Sequence, residues 1–321
     1  MRSVALLTSG GDAPGMNACI RAVTRTSISH GAEVWGINNG FQGMVDQQME
    51  QLTSRSVAGI LQRGGSVLGA GRCLEFIDPR VQIRCVDYLR DAGVEGLIVI
   101  GGDGSLRGVH SLNVLGFSVI GVPGSIDNDV PGTDNSIGAD TAINTAVEAI
   151  DRLRDTASAH HRAMIVEVMG RHSGYIAYMA AIASGAEMVI VPEHPIELQA
   201  VFDEMEAMQQ HGKRHFIIVL AEGAKWRAAE LTQLINDADN PYDARYTVLG
   251  YIQRGGSPSA LDRTMATRMG VVAVGALLEG KSNVLVAIRD GMVVPTDLST
   301  FSADETKSDP WLQEVFSVTS S

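Results

Sequence analysis

Residues 96–104 read GLIVIGGDG. Four apolar residues, Leu97 to Ile100, are followed at once by two glycines and an acid. A short apolar run that ends in a glycine turn is typical of a strand buried on both faces of a parallel sheet. Runs of the same form occur at residues 3–11, 33–40, 118–125, 163–171, 188–193, 215–223 and 283–288.

Helix-like segments separate these runs. Residues 141–157, TAINTAVEAIDRLRDTA, place apolar side chains at 143, 146, 147, 150 and 153, which is one face of a helix. The alternation predicts an α/β fold with mainly parallel sheets. Because no Pro/Ser-rich linker divides the 321 residues, we expect two lobes to exchange strands, with a helix at 139–157 as the bridge. The polar sequence after Pro310 predicts a short tail on the surface.

The composition excludes several classes of function. A net charge of −12 and an aromatic content of 5% argue against a binder of nucleic acid or of anionic membranes. No window is apolar enough for a membrane span, and the N-terminus lacks a signal-peptide pattern. Three cysteines without C-x-x-C spacing argue against a disulfide scaffold or a zinc site. These features predict a cytoplasmic protein.

The first glycine loop is TSGGDAPGMNACIRAVTR, residues 8–25. Gly10 and Gly15 have the spacing of a P-loop, but Met16 and Asn17 replace its Lys and Ser/Thr. The loop is therefore not a P-loop. The amide of Gly11 could still meet a phosphate at a helix N-terminus, and the alternative is a tight turn that needs glycine for its shape.

The second loop is GGDGSLRG, residues 101–108. Bare glycine amides can bind phosphates, and the carboxylate of Asp103 can hold Mg²⁺ that also bridges phosphate oxygens. The alternative role of Asp103 is to cap a helix.

The third loop is GSIDNDVPGTD, residues 124–134. Asp127 and Asp129 are two residues apart, so on extended backbone both would point the same way. Two carboxylates on one side repel each other unless a cation or a proton lies between them. The pair therefore predicts a metal ligand beside a general base, whereas Asp134, after Pro-Gly, is predicted to be a turn residue.

Six motifs together give the sequence a family resemblance. They are SGGDAPGMNA (9–18), VIGGDGS (99–105), PGSIDND (123–129), EAIDRLRDTA (148–157), VEVMGR (166–171) and GYIQRGGSP (250–258). In this order the chain resembles the bacterial ATP-dependent 6-phosphofructokinases. The resemblance implies Mg²⁺-dependent transfer of the γ-phosphoryl group of ATP to O1 of fructose 6-phosphate by a homotetramer. It also implies two Rossmann-like αβα lobes, a larger ATP-binding lobe (1–138 with 251–301) and a smaller sugar-phosphate lobe (139–250 with 302–321).

The resemblance also assigns roles to individual residues. It implies that Asp127 accepts the proton of the sugar hydroxyl and that Asp103 and Asp129 serve Mg²⁺. Charge on the transferred group would be stabilised by Arg72, Arg171, Gly11 and Ser125. The implied ATP site is Gly11, Arg72, Cys73, Phe76, Gly102, Asp103, Gly104, Ser105 and Gly108. The implied sugar-phosphate site is Ser125, Asp127, Arg162, Met169, Gly170, Arg171, Glu222, Arg245, Tyr251 and Arg254, with Arg162 and Arg245 from a neighbouring subunit. Taken singly, each arginine could equally be a surface residue, and Met169 and Phe76 could be ordinary core residues.

Two positions bear on the phosphoryl donor. Pyrophosphate-using relatives usually carry Asp at 104 and Lys at 124, and both positions are glycine in this chain. Glycine at both leaves room for a nucleotide, which favours ATP. One catalytic motif departs from the family pattern, because Tyr251 stands where relatives usually have His. A phenol can hydrogen-bond a phosphate but is not cationic near neutral pH.

An effector site is implied by the residues that match it, which are Arg21, Arg25, Arg154, Glu187, Lys213 and Arg214. Relatives often place Arg and a stacking aromatic at 54–55, where this chain has Ser54 and Arg55. The departure predicts that phosphoenolpyruvate binds and that ADP activates weakly. The alternative is that these arginines cap helices at a polar interface.

Two other functions remain as alternatives. One is a kinase that shares the GGDG loop but phosphorylates NAD or diacylglycerol, which the 123–129 and 250–258 motifs disfavour. The other is a catalytically silent regulatory subunit, which the presence of Asp103, Asp127 and Arg171 disfavours.

Overall fold

The computed structural model describes residues 1–300 and 309–320. Within these residues the strands are β1 Ser3–Ser9, β2 Glu33–Ile37, β3 Met49–Leu52, β4 Gly96–Gly101, β5 Val119–Pro123, β6 Arg162–Val168, β7 Met188–Ile190, β8 Phe216–Ala221, β9 Asp243–Val248, β10 Val284–Arg289 and β11 Met292–Asp297. The helices are α1 Met16–Ser29, α2 Phe41–Val45, α3 Pro79–Asp91, α4 Asp103–Val114, α5 Ala139–His160, α6 Tyr175–Ser184, α7 Leu198–Gln210, α8 Ala228–Asp237, α9 Ala260–Leu278 and α10 Pro310–Thr319. The predicted α/β class with mainly parallel sheets is confirmed.

The chain divides into two compact units. The first is Met1–Asp140 together with the segment that begins at Arg254, and the second is Thr141–Gln253 together with α10. The first boundary thus falls in the first turn of α5. The predicted boundary at 301/302 lies outside the described residues. Which unit holds which ligand stays a prediction.

The first unit is built on a seven-stranded sheet in the order β11-β10-β5-β4-β1-β2-β3. Its five inner strands are parallel, whereas β3 and β11 add antiparallel edges. Strand β1 is buried along its whole length, as the apolar run predicts. Helices α1 and α9 pack on one face of the sheet, and α2, α3 and α4 cover the other around a core that includes Leu7, Val99 and Leu106. Three layers result.

The second unit is built on a parallel four-stranded sheet in the order β7-β8-β6-β9. One of its cores joins the strands to α7 and α8 through residues such as Phe216, Met205 and Leu231. The predicted polar tail is wrong in part, because residues 310–319 form α10. Leu312 of α10 is buried, and the ring of Phe316 meets that of Tyr178 edge-on with centroids 6.4 Å apart.

Three strands were not among the predicted runs, for identifiable reasons. Strand β3 has only four residues, and β9 is a half-exposed edge strand with charged residues at Asp243 and Arg245. Strand β11 contains Pro295 and follows β10 through the two-residue turn Asp290-Gly291, not through a helix. Positive φ angles of 51° and 73° at that turn suit a tight hairpin.

Among the described residues, no helix is long and apolar enough to cross a lipid bilayer.

Candidate active site

Three loops of the first unit meet because of the strand register. Ser9 at the end of β1 pairs with Gly101 at the end of β4, and Gly101 pairs with Pro123 at the end of β5. The loops that follow, carrying Gly11, Asp103 and Ser125, therefore leave the same edge of the sheet at one level. From β1 the chain runs outward to β2 and β3 and then returns to β4 on the other side of β1. Ligands of open α/β sheets bind at such a switch point.

A cavity of about 730 Å³ opens at this edge, a size typical of sites for small molecules. Its lining includes every residue of the predicted ATP site, namely Gly11, Arg72, Cys73, Phe76, Gly102, Asp103, Gly104, Ser105 and Gly108, together with Ser125 and Asp129. It also includes residues that the sequence did not single out, namely Ser9, Phe41, Leu74, Ile77, Gln82, Arg107 and Ser111. That these residues bind ATP stays a prediction.

One wall of the cavity is apolar. The rings of Phe41 and Phe76 stack with centroids 4.1 Å apart, and both side chains also belong to the core. Leu74 and Ile77, on the adjoining 3-10 helix, are more than three-quarters exposed. Large exposed apolar side chains beside a stacked aromatic pair form a surface on which a flat ring can lie. Phe76 was predicted to be either a residue of the ATP site or an ordinary core residue. In the structure it belongs to the core and also lines the cavity.

Asp103 is the first residue of α4, where the helix dipole favours an acid. Asp103 is not the N-cap of the helix, which was its alternative role. Gly102 occupies the N-cap position and makes no side-chain hydrogen bond. The guanidinium of Arg107, one turn later, donates to the Asp103 carboxylate. Burial raises the pKa of Asp103 above its usual range, Arg107 opposes this rise, and the nearby Asp129 carboxylate adds to it.

The loop 124–129 differs from its predicted geometry. The prediction of an extended backbone from Asp127 to Asp129 is wrong. Ile126 and Asp127 form a turn, and Asn128 follows with φ +48°. The hydroxyl of Ser125 donates to Oδ1 of Asp129 at 2.8 Å. Asp129 lines the cavity, whereas Asp127, which is also described and half-buried, is not part of that lining.

Asp103 and Asp129 could bind a cation that takes most of its oxygen ligands from water and phosphate. No cluster of three or more His, Cys, Asp or Glu suited to a metal occurs in residues 1–300 and 309–320. Asp103 and Asp129 both line the cavity and are close enough for Asp129 to raise the pKa of Asp103. A divalent cation would relieve this repulsion. Mg²⁺ commonly takes one or two carboxylates and completes its shell with water and phosphate oxygens.

Arg254 is brought to the first glycine loop. A Cβ added at Gly11 would lie 2.8 Å from Nη1 of Arg254, so the guanidinium packs directly against the Gly11 backbone. The phosphate-binding role of Gly11 stays a prediction.

The second unit has its own cavity, of about 630 Å³. It is lined by Arg171 and Glu222 of the predicted sugar-phosphate site, and by His172, Pro192, Glu193, Gly223, Ala224 and Arg227. Arg227, which the sequence analysis did not single out, donates to the carbonyl of Glu222. Met169 is buried, and its amide donates to Oε1 of Gln253 at 2.8 Å. Gly170 has φ +135°, a conformation that other residues rarely adopt.

Arg162 and Arg245 come together at the edge of the second sheet. Strands β6 and β9 place Arg162 opposite Asp243, with Arg245 two residues along β9. The Asp243 carboxylate binds both, at 3.4 Å from Nε of Arg162 and 2.5 Å from Nη1 of Arg245. Both guanidiniums are at least partly exposed. Tyr251, beyond the end of β9, is 80% exposed.

Part of the predicted effector site forms a cluster in the second unit. The carboxylate of Glu187 is buried, with Nζ of Lys213 at 3.2 Å and Nη1 of Arg154 at 3.9 Å. His215, which the sequence analysis missed, lies 3.7 Å from the same carboxylate. Its position two residues after Lys213, just before β8, could have indicated that His215 belongs to this cluster. The other predicted members lie elsewhere: Arg21 and Arg25 are on α1 of the first unit, and Arg214 is exposed.

Burial lowers the pKa of His215 below its usual range, although Glu187 opposes this. Nη1 of Arg154 lies 3.0 Å from Nε2 of His215, and a guanidinium can only donate. The neutral imidazole therefore accepts at Nε2 and donates from Nδ1 to the hydroxyl of Ser158 at 2.8 Å.

Comparison with known proteins agrees with this geometry. The family model described as phosphofructokinase matches residues 3–277. An ATP-dependent 6-phosphofructokinase from Bacillus cereus is 49% identical over 298 residues, which is 93% of this chain and 93% of that protein. A protein of the same description from Bacillus thuringiensis is 48% identical over 93% of each chain.

Solved structures agree as well. A phosphofructokinase from Pichia pastoris in the T-state matches with a TM-score of 0.88 and 34% identity over 93% of this chain. This chain spans only 35% of the length of that yeast protein. A pyrophosphate-dependent phosphofructokinase from Marinobacter aquaeolei matches with a TM-score of 0.86 over 97% of this chain and 86% of that one, and its 22% identity supports a likeness of fold alone. From the matched motifs, the relatives and the cavity at the switch point together, this chain belongs to the phosphofructokinase family.

Proposed function

We propose that this chain phosphorylates fructose 6-phosphate at O1 with ATP, giving fructose 1,6-bisphosphate and ADP. The observation that carries the proposal is the convergence of Gly11, Asp103 and Ser125 on one cavity at the switch point of the first sheet. The cavity has an aromatic wall that suits the base of a nucleoside triphosphate, glycine amides that suit its phosphates and acids that suit its cation. The B. cereus and B. thuringiensis relatives carry the same activity in their descriptions.

The residues of the first unit would divide the chemistry. Phosphoryl transfer requires positioning and neutralisation of charge more than covalent chemistry. Phe76 and Phe41 would hold the base, and the amides of Gly11 and Gly104 would meet the phosphates. Asp103 and Asp129 would hold Mg²⁺, which when bound neutralises phosphate charge. Asp127 would accept the proton of the attacking hydroxyl, which is general base catalysis.

The arginines would bind the sugar phosphate. Arg162 and Arg245 are already held side by side through Asp243, and an incoming phosphate would compete with that carboxylate for both. Arginine binds phosphate in a bidentate manner, which favours this exchange. Arg171 would stabilise charge on the transferred group and Glu222 would hold the sugar, and Arg254 would add a cation beside Gly11.

A coupled turnover assay tests the proposal. Purified protein is given fructose 6-phosphate and Mg²⁺ with either ATP or pyrophosphate, and we expect turnover with ATP. We expect Asp127→Asn to lose about 10²–10⁴-fold in kcat, the range that a general base contributes. Asp134→Asn is the matched control, because it lies in the same loop, does not line the cavity of the first unit, and its Oδ2 accepts from the amide of Asp290. Turnover with pyrophosphate alone would overturn the choice of donor.

We also propose that the active form is a homotetramer. Apolar side chains are exposed at the edge of the second sheet, which supports the proposal that a second copy of the chain covers this edge. Tyr246 and Val248 of β9 are about half exposed, and Ile252 is 60% exposed. Arg245 lies on this edge strand and Arg162 begins the adjoining strand β6, so both would be offered to a neighbouring subunit. Light scattering that gives a monomer at assay concentrations, with full activity, would contradict this.

Regulation by an anionic effector is a further part of the proposal. The charged cluster around Glu187 supports it, as does the description of the Pichia relative as a T-state structure. The effector would be phosphoenolpyruvate, with ADP a weak activator. A cytoplasmic location accords with the three free cysteines.

A further inference from the structure

Asn128 is buried between two partly exposed acids. Its side chain belongs to a residue that is 2% exposed, whereas Asp127 and Asp129 on either side are half-buried. Asn128 is thus turned into the protein, and Asp129 lines the cavity. An amide that is buried at such a place must have hydrogen-bond partners, because an unsatisfied one costs free energy.

The Asn128 side chain uses both ends of its amide to hold the following segment. Its Nδ2 donates to the carbonyl of Asp134 at 3.0 Å. Its Oδ1 accepts from the amide of Ser136 at 2.9 Å and lies 3.1 Å from the hydroxyl oxygen of Ser136. All three contacts tie the tip of the acidic loop to residues 134–136, which lie six to eight positions later in the chain.

The same segment is bound to the start of the loop. The amide of Ser125 donates to the carbonyl of Ile137 at 3.1 Å, and the amide of Ile137 donates to the carbonyl of Pro123 at 3.0 Å. The hydroxyl of Ser136 donates to the carbonyl of Ser125 at 2.6 Å. Residues 134–137 are therefore a brace that contacts the start of the loop, and Asn128 is the side chain that reaches the brace from the loop tip.

The backbone of Asn128 also sets the direction of its neighbours. Its φ of +48° is in the left-handed region, where Asn is enriched because its short side chain can bond locally. A left-handed residue between two others reverses the chain locally, so Asp127 and Asp129 do not follow the alternation of a strand. The direction of both carboxylates thus depends on how Asn128 is held.

We propose that Asn128 is a positioning residue that aims the carboxylates of Asp127 and Asp129 by anchoring the loop tip to residues 134–136. The inference rests on the proposed function, because it assigns Asn128 to the reaction through those two acids. Asn128 itself is not part of the cavity lining. Its loss would move the acids without removing any group that binds ATP or the sugar phosphate.

The experiment compares Asn128→Gly with a matched control, Asn283→Gly. Glycine keeps the positive φ accessible at both positions and removes only the side-chain bonds. Asn283 is also left-handed, with φ +54°, and nearly buried at 9% exposure. Its Nδ2 donates to Oδ1 of Asp297 at 3.3 Å and its Oδ1 lies 3.2 Å from Nδ1 of His110, in the first unit but not in the lining of the cavity. Each variant therefore removes the side-chain hydrogen bonds of one left-handed asparagine, which at Asn128 stands between the two acids and at Asn283 stands outside the cavity lining.

We measure kcat, KM for ATP, KM for fructose 6-phosphate and the urea midpoint for wild type and both variants. We expect similar decreases in the urea midpoint. Asn128→Gly should lose on the order of 10²-fold in kcat, the effect of misplacing a catalytic group by about 1 Å. Its two KM values should change by no more than about threefold, a small part of that effect. Asn283→Gly should keep wild-type kcat.

The outcomes separate the two proposals. A wild-type chain that turns over ATP and fructose 6-phosphate, with an Asn128→Gly kcat equal to that of Asn283→Gly, overturns the positioning role alone. A fall in kcat that both variants share in proportion to lost stability overturns it too. A wild-type chain with no such turnover overturns the proposed function and this inference with it.

Discussion

Gly108 of α4 lies directly under the ring of Phe41. A Cβ at Gly108 would come within 2.6 Å of Cζ of Phe41, whose ring is itself held against Phe76. We expect Gly108→Ala to destabilise the protein by about 1–3 kcal/mol, the cost of overpacking a core. It should also raise KM for ATP, because the displaced rings line the cavity.

Gly275→Ala is the control for that substitution. Gly275 is also inside a helix, α9, but a Cβ there would meet no atom within 4 Å. We expect it to stabilise the protein by about 0.5–1 kcal/mol, the difference in helix propensity between Ala and Gly. Urea unfolding measures both, and an unchanged midpoint for Gly108→Ala would contradict the close packing.

Gly104 provides the test of donor choice. A Cβ at Gly104 would meet no atom within 4 Å, so a side chain can begin there without a clash. Its charge would face the phosphates of ATP in the cavity. We expect Gly104→Asp to lower kcat/KM for ATP at least about tenfold, which needs only ~1.4 kcal/mol of repulsion. Gly104→Asn, of the same shape but neutral, should lose much less, and equal losses would argue for crowding instead of charge.

His215 should make stability depend on pH. Its pKa is lowered in the folded state by burial, with Arg154 and Lys213 adding to this and Glu187 opposing it. The unfolded chain therefore takes up the proton first as pH falls. Stability is then greatest above the ordinary His pKa of about 6.5 and is lost as pH falls from there through the folded-state pKa.

His215→Gln removes this loss, since glutamine can still accept from Arg154 without titrating. We expect its free energy of unfolding, measured in urea at pH values from 7.5 to 5, to fall less steeply than that of wild type. The same substitution at the exposed His211 controls for the loss of an imidazole. Parallel curves for wild type and His215→Gln would contradict the assignment.

The effector cluster predicts selectivity between anions. Ser54 and Arg55 are exposed and offer no aromatic ring for adenine, whereas Lys213 and Arg154 meet at Glu187. We expect phosphoenolpyruvate to shift the saturation curve for fructose 6-phosphate and ADP to leave it nearly unchanged. Lys213→Gln should weaken the phosphoenolpyruvate effect about tenfold, as expected for loss of a charged hydrogen bond of ~1.5 kcal/mol. Strong activation by ADP would count against this prediction.

Tyr251 should set the response of sugar-phosphate binding to pH. It is 80% exposed, so a histidine fits there. We expect Tyr251→His to lower KM for fructose 6-phosphate a few-fold below about pH 6.5, where an imidazolium can attract the 6-phosphate. Val318→His on α10, where the residue is 73% exposed, is the control for a new surface imidazole. A KM profile across pH that matches wild type would rule out this role.

Much of the first site could be predicted from the sequence, because its parts are local. Apolar runs ending in glycine marked β1, β4 and β5, and in a parallel sheet the ends of such strands meet at one edge. The register that brings Ser9, Gly101 and Pro123 level then placed the three loops together. Local pattern and topology were sufficient for this part of the molecule.

Other features depend on contacts between distant residues. Phe41 reaches the cavity only because Gly108 makes room for it, and no local pattern connects the two. His215 joins Glu187 through the packing of β8 beside β7. The left-handed backbone of Asn128 could have been predicted from the residue type. The brace at 134–137 that holds Asn128 depends on tertiary contacts. Asp290-Gly291, in contrast, is a local hairpin signal that the sequence analysis passed over.

The two antiparallel edges of the seven-stranded sheet affect how copies of this chain can associate. Strand β3 is four residues long and carries Glu50, and β11 has Pro295, which lacks the amide that a further strand would need. Short, charged or proline-bearing borders prevent sheets from growing into fibrils by recruiting strands. Both edges of this sheet are therefore protected against pairing with strands of other copies, and ordered assembly is left to the other surfaces of the unit.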